Sequence, residues 1–119
     1  MNTHLAVISL RAEDVSAAAH FYRDVLGLQP SGHADHPPHF KLGEGFLVIL
    51  QGKPQPALDP LPERFPLLAL AVDNLDQAVE TLRHHAVDLP RGVEKGPDAR
   101  YAMFHDPGGN LIELVEFNR

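Results

Sequence analysis

Arg100-Tyr-Ala-Met-Phe-His-Asp106-Pro-Gly-Gly-Asn110-Leu-Ile-Glu-Leu-Val115 holds two apolar runs around a cluster of turn residues. Arg100–Phe104 and Leu111–Val115 carry the residue types that suit a pleated surface, and Asp106-Pro-Gly-Gly109 supplies the backbone geometry of a tight reversal. The stretch therefore predicts a β-hairpin. Upstream, Leu67–Val72 is an apolar strand, Asp73 is the expected helix cap, and Leu75, Ala78, Val79 and Leu82 recur at helical spacing. A weaker strand is expected over Val87–Val93, beside Pro90.

The first half of the chain repeats this plan. An apolar strand from Ile8 ends at Asp14, which is placed to cap a helix by accepting from its exposed N–H groups. Val15, Ala18, Ala19, Tyr22, Val25 and Leu26 form the helical stripe, and Gly27 closes it. A weak strand over Leu28–His33 contains Pro30, and His39–Leu42 and Phe46–Leu50 follow, joined by Gly43-Glu-Gly45. Each half reads β-α-β-β-β, over residues 1–52 and 65–119. Residues 53–64, with four prolines, read as a semi-rigid linker. The expected fold class is α+β, with two βαβββ modules. Units of this size are marginal alone, so the halves are expected to share a core as one structural domain.

Composition removes several functions. The 119 residues are 44% hydrophobic and 22% charged, too apolar for intrinsic disorder. The longest apolar run, Phe65–Val72, falls far short of the roughly 20 residues that cross a bilayer, so no membrane partner is expected. Met1–Asp14 lacks the basic start and cleavage site of a signal peptide, which leads us to expect a cytoplasmic protein. The absence of cysteine excludes disulfides, thiolate metal sites and a cysteine nucleophile. Ten basic residues against sixteen acidic ones give a net charge of -6 without a basic cluster, so nucleic acid is not an expected partner.

Asp14-Val15 through Phe21-Tyr22 and Leu26-Gly27-Leu28, with Arg100, Phe104, Asp106-Pro107-Gly108, Asn110 and Glu113-Leu114, closely resemble the two modules of the vicinal oxygen chelate superfamily. That superfamily includes glyoxalase I, bleomycin-resistance proteins, fosfomycin-resistance enzymes and extradiol dioxygenases. The resemblance implies a curved mixed sheet around a cleft, helices on the outer face, and a homodimer. It also implies four inward metal-ligand positions, which fall on Val7, Val48, Leu67 and Glu113 here. Three are aliphatic and have no lone pair to offer, whereas a divalent metal needs at least three donors. No metal or other cofactor is therefore expected.

Period-two alternation places Leu5 and Ser9 with Val7, Phe46 and Leu50 with Val48, Ala69 and Ala71 with Leu67, and Leu111 and Val115 with Glu113. Ala6, Ile8, Leu10, Leu68, Leu70 and Val72 then meet the helices. An apolar cleft with one carboxylate fits a small organic ligand, and the alternative is a cleft filled as core. The expected ligand-binding residues are Glu113, Arg100, Tyr101, Met103, Phe46, Val48, Val7 and Leu67. Glu113 has three readings: it faces a cationic ligand, acts as a general base, or is satisfied by Arg100 or a histidine. Arg100 either clamps a carboxylate or carbonyl or pairs with a neighbouring acid. Asp106–Asn110 is read as structural. The histidines of His33-Ala-Asp35-His36-Pro-Pro-His39 are read as a solvated loop, and His84 and His85 as favourable charge at a helix C-terminus. His39, His105 and Glu113 are the alternative metal ligands, for a lyase, isomerase or dioxygenase with a divalent metal in a displaced site. The leading expectation is a metal-independent binder of a small organic molecule, as in the drug-sequestering bleomycin-resistance branch.

Overall fold

A computed structural model describes residues 1–32, 36–53 and 67–118. Contacts divide the chain into two units, Met1–Pro54 with Pro107–Asn110, and Gln55–Asp106 with Leu111–Arg119. The expected linker, apart from Lys53, lies outside the described residues, as do His33 and Asp35.

The first unit contains β1 (Val7–Ala12), α1 (Val15–His20), β2 (Gln29–Ser31), β3 (His39–Leu42) and β4 (Gly45–Gln51). Its sheet runs β1-β4-β3-β2, with β1 parallel to β4 and the remaining pairs antiparallel. Asp14 caps α1 as its position suggests, its side chain accepting the Ala17 N–H at 2.9 Å. The helical stripe does not continue as α-helix to Leu26. Phe21–Val25 is a π-helical turn, closed by Leu26 N–H donating to the Phe21 carbonyl at 3.1 Å. The wider turn buries two adjacent aromatics: Phe21 meets Tyr22 edge-on at 5.5 Å, and Tyr22 reaches Phe40 at 6.1 Å.

The second unit repeats the order with β5 (Leu68–Ala71), α2 (Leu75–His84), β6 (Val93–Lys95), β7 (Ala99–His105) and β8 (Leu111–Phe117). Its sheet runs β5-β8-β7-β6, again with one parallel pair, β5 on β8. The cap of α2 is Asn74, not Asp73: Asn74 Oδ1 accepts the Gln77 N–H at 3.0 Å. That start places Leu75, Val79 and Leu82 on the buried stripe. The weak third-quarter strand also lies later than expected. Gly92, at φ 61°, closes a turn back to Leu89, and β6 begins only at Val93.

Both modules thus form, each a four-stranded mixed sheet with its own helix. The alternation places the expected residues on the helix side: Ile8 and Leu10 are half-buried where Val7 and Ser9 are exposed, and Leu68 and Leu70 where Ala69 and Ala71 are exposed. In the second unit the helix face is closed by Ala102, Phe104, Ile112 and Leu114, all buried. Among the described residues, no helix is long and apolar enough to cross a membrane.

Candidate functional site

The face of the second sheet turned away from α2 gathers the chemistry. Glu113 on β8 stands between Ala69 of β5 and Met103 of β7. Tyr101, one step of the pleat along β7, stands between Val115 and Glu94 of β6. Because partners in register share a face, Glu94, Tyr101, Met103, His105, Leu111, Glu113 and Val115 line one surface. Leu111, Met103 and Val115 are buried, and the four polar residues are half-buried.

No hydrogen bond or ion pair from the described residues reaches the Glu113 carboxylate. Burial pushes its carboxyl above the ordinary value, and the negative charge of Glu94 pushes it the same way. Glu94 has a loose partner in Arg91, with Nη1 3.8 Å from its carboxylate. Tyr101 is held beside β6 by a missing side chain: a Cβ on Gly96 would lie 2.5 Å from the Tyr101 hydroxyl. A larger residue at this position would make the end of that ring shift.

Arg100 is elsewhere. Alternation puts it on the helix face, where its guanidinium donates to Asp76 at 3.1 and 3.3 Å and to Glu116 at 3.0 Å. Glu116 also accepts the Leu75 N–H at 2.9 Å, so the three side chains tie the start of α2 to β7 and β8. The Glu116 carboxyl is held below its usual range, first by that N–H and then by Arg100. Arg100 therefore neither shares the face of Glu113 nor neutralises it.

In the first unit, Val7, Phe46 and Val48 share the face turned away from α1, with Val7 beside Phe46 and Val48 beside His39. Val7 is 50% exposed and Phe46 36%, while Val48 is buried. His39 meets Phe46 edge-on at 6.3 Å. Leu67 lies one residue before β5.

The residues do not fit a metal ion. Val7, Val48 and Leu67 supply no donor atom, which leaves Glu113 as the single donor of the four. Among the described residues, no group of three His, Asp or Glu side chains is placed to hold a metal. Of the alternative set, His39 is on β3 of the first unit, and His105 and Glu113 share a face of β7 and β8 in the second.

The model of the Glyoxalase/Bleomycin resistance protein/Dioxygenase superfamily matches residues 4–114. The chain belongs to that superfamily. Solved structures agree on the fold. An antibiotic-binding protein from Streptomyces sp. CB03234 is 26% identical with a TM-score of 0.75, and the match covers 98% of this chain and 98% of that one. A lactoylglutathione lyase from Agrobacterium tumefaciens is 21% identical with a TM-score of 0.73, covering 98% and 95%. A fosfomycin resistance protein from Mesorhizobium loti is 20% identical with a TM-score of 0.75, covering 99% and 95%. Comparison with curated protein sequences returns no match.

Within this member of the superfamily, two site features escape sequence reasoning. Glu94 sits on a three-residue strand whose position depends on the Gly92 turn, so its facing could not be assigned. The Gly96 contact with Tyr101 depends on side-chain direction, for which the sequence carries no signal. The separation of Arg100 from Tyr101 and Met103, by contrast, follows from alternation along β7.

Proposed function

We propose that this superfamily member binds a small organic molecule on the face carrying Glu113, Tyr101 and Met103, and does so without a metal. The observation that carries this reading is the donor set: one carboxylate and three aliphatic side chains stand at the four family ligand positions. A half-buried carboxylate beside an aromatic ring and a thioether suits recognition of an organic ligand, since such sites combine apolar walls with few polar groups. The antibiotic-binding protein from Streptomyces sp. CB03234 supports a binding role. Phe46, Val48 and Val7 of the first unit, and Leu67 of the second, are each proposed as apolar ligand contacts of their own unit.

The test is a thermal-shift screen of planar and amine-bearing antibiotics and aromatic compounds against untagged protein, with and without nickel, zinc, manganese and iron(II). The expected result is a ligand that raises the melting temperature equally with and without metal, and is recovered unchanged. Stabilisation that requires metal, or conversion of the compound, would contradict the reading.

A further inference from the structure

The face proposed to bind a ligand carries two carboxylates with His105 on the same surface; Arg91 pairs loosely with Glu94, and Glu113 has no ion pair among the described residues. Glu94 and Glu113 flank β7 from β6 and β8, so their backbones stand about 10 Å apart across the strands and about 7 Å apart along them. Tyr101 and Met103 occupy the strand in between, and their side chains rise from the same face. Glu113 has no hydrogen-bonding or ionic partner among the described residues, and Glu94 acts on it as a like charge. Arg91, two residues before the start of β6, reaches Glu94 at 3.8 Å. Two like charges on a partly buried face repel, and a cation seated between them relieves both.

The flat wall is set in advance. The absent Cβ of Gly96 leaves room for the Tyr101 hydroxyl to rest against the chain beside β6. An aromatic face and a polarisable sulfur next to carboxylates favour a cation with an organic surface over a hydrated metal ion. We infer that Glu94, Tyr101, Met103 and Glu113 form a subsite for the ammonium or guanidinium group of an organic cation. This rests on the proposed binding function and names the chemistry of its ligand.

Titration calorimetry and ligand-observed NMR with benzyltrimethylammonium and its uncharged isostere neopentylbenzene test the inference on the full chain. The charged probe is expected to bind more tightly than the neutral one. Glu113→Gln is expected to weaken the charged probe about tenfold and Glu94→Gln by a smaller factor, with the neutral probe unaffected. Gly96→Ala, which displaces Tyr101 and leaves both carboxylates, is expected to weaken the charged probe too. Unchanged thermal melting of Glu113→Gln at acid pH establishes that the variant is folded. Equal binding of both probes, or a charged probe indifferent to Glu113→Gln, overturns the subsite while the binding function stands. Failure of both probes, with no compound found in the wider screen, overturns the two together.

Discussion

Gly108 is where a single methyl group should have its largest effect on the Asp106–Asn110 turn. A Cβ built there would lie 2.8 Å from the Arg11 carbonyl oxygen, 2.9 Å from the Ala12 Cβ and 3.1 Å from the Asn110 side-chain nitrogen. None of these can yield cheaply. The first is backbone, Ala12 is buried, and Asn110 donates to the Arg11 carbonyl at 2.9 Å. Relief requires β1 or the turn to shift, and inserting a methyl into such a contact costs about 1–3 kcal/mol. Loss of the Asn110 hydrogen bond adds about 0.5–1.5 kcal/mol. Gly108→Ala should therefore destabilise by about 2–4 kcal/mol, lowering the melting temperature by roughly 10 °C in a chain of this size. Urea denaturation and calorimetry measure it. Asn110→Ala should cost only about 1 kcal/mol, and the double variant less than the sum, because the first change already disrupts the second contact. A Gly108→Ala protein within 0.5 kcal/mol of the parent would refute the claim that this turn is held against β1 by close packing.

Three further outcomes follow from the same geometry. Glu116 has a lowered folded-state carboxyl, so its contribution is full above the ordinary glutamate value near 4.5 and lost as pH falls through the folded value; Glu116→Gln should flatten the acid limb of urea midpoints measured between pH 6 and pH 3. Glu113 has the opposite sign: its raised carboxyl favours the fold at low pH and that advantage is lost as pH rises through the folded value, so Glu113→Gln should be more stable than the parent at pH 7 and equal to it near pH 4. Ala86 occupies the left-handed position after α2 at φ 59°, with its own N–H donating to Arg83 and that of Val87 to Leu82, so Ala86→Gly should raise stability by about 0.5–1 kcal/mol in urea titration.

Most of the fold was legible because it is written in periodicity. The alternation along β1 and β5 separates helix-facing from opposed residues, and Asp14 marks a helix start through its short acceptor side chain. What failed was local competition. Asp73 and Asn74 are both good caps, and only the burial of Leu75 decides between them. The α1 stripe gave no sign that Phe21 and Tyr22 would both turn inward through a π-helical turn. The carboxylate of the candidate site was legible from its place in the ending motif, but the company it keeps was not. Glu94 reaches Glu113's face through the register of the short β6–β7 hairpin, where it stands opposite Tyr101, and the expected weak strand over Val87–Val93 stopped short of it.

The central proposal is that this superfamily member binds its ligand without a metal. Elemental analysis of untagged protein, incubated with nickel, zinc, manganese and iron(II) and then desalted, tests it most directly. The account predicts metal far below one equivalent, with no difference between the parent and Glu113→Gln. Near-stoichiometric metal in the parent, lost on Glu113→Gln, would contradict it.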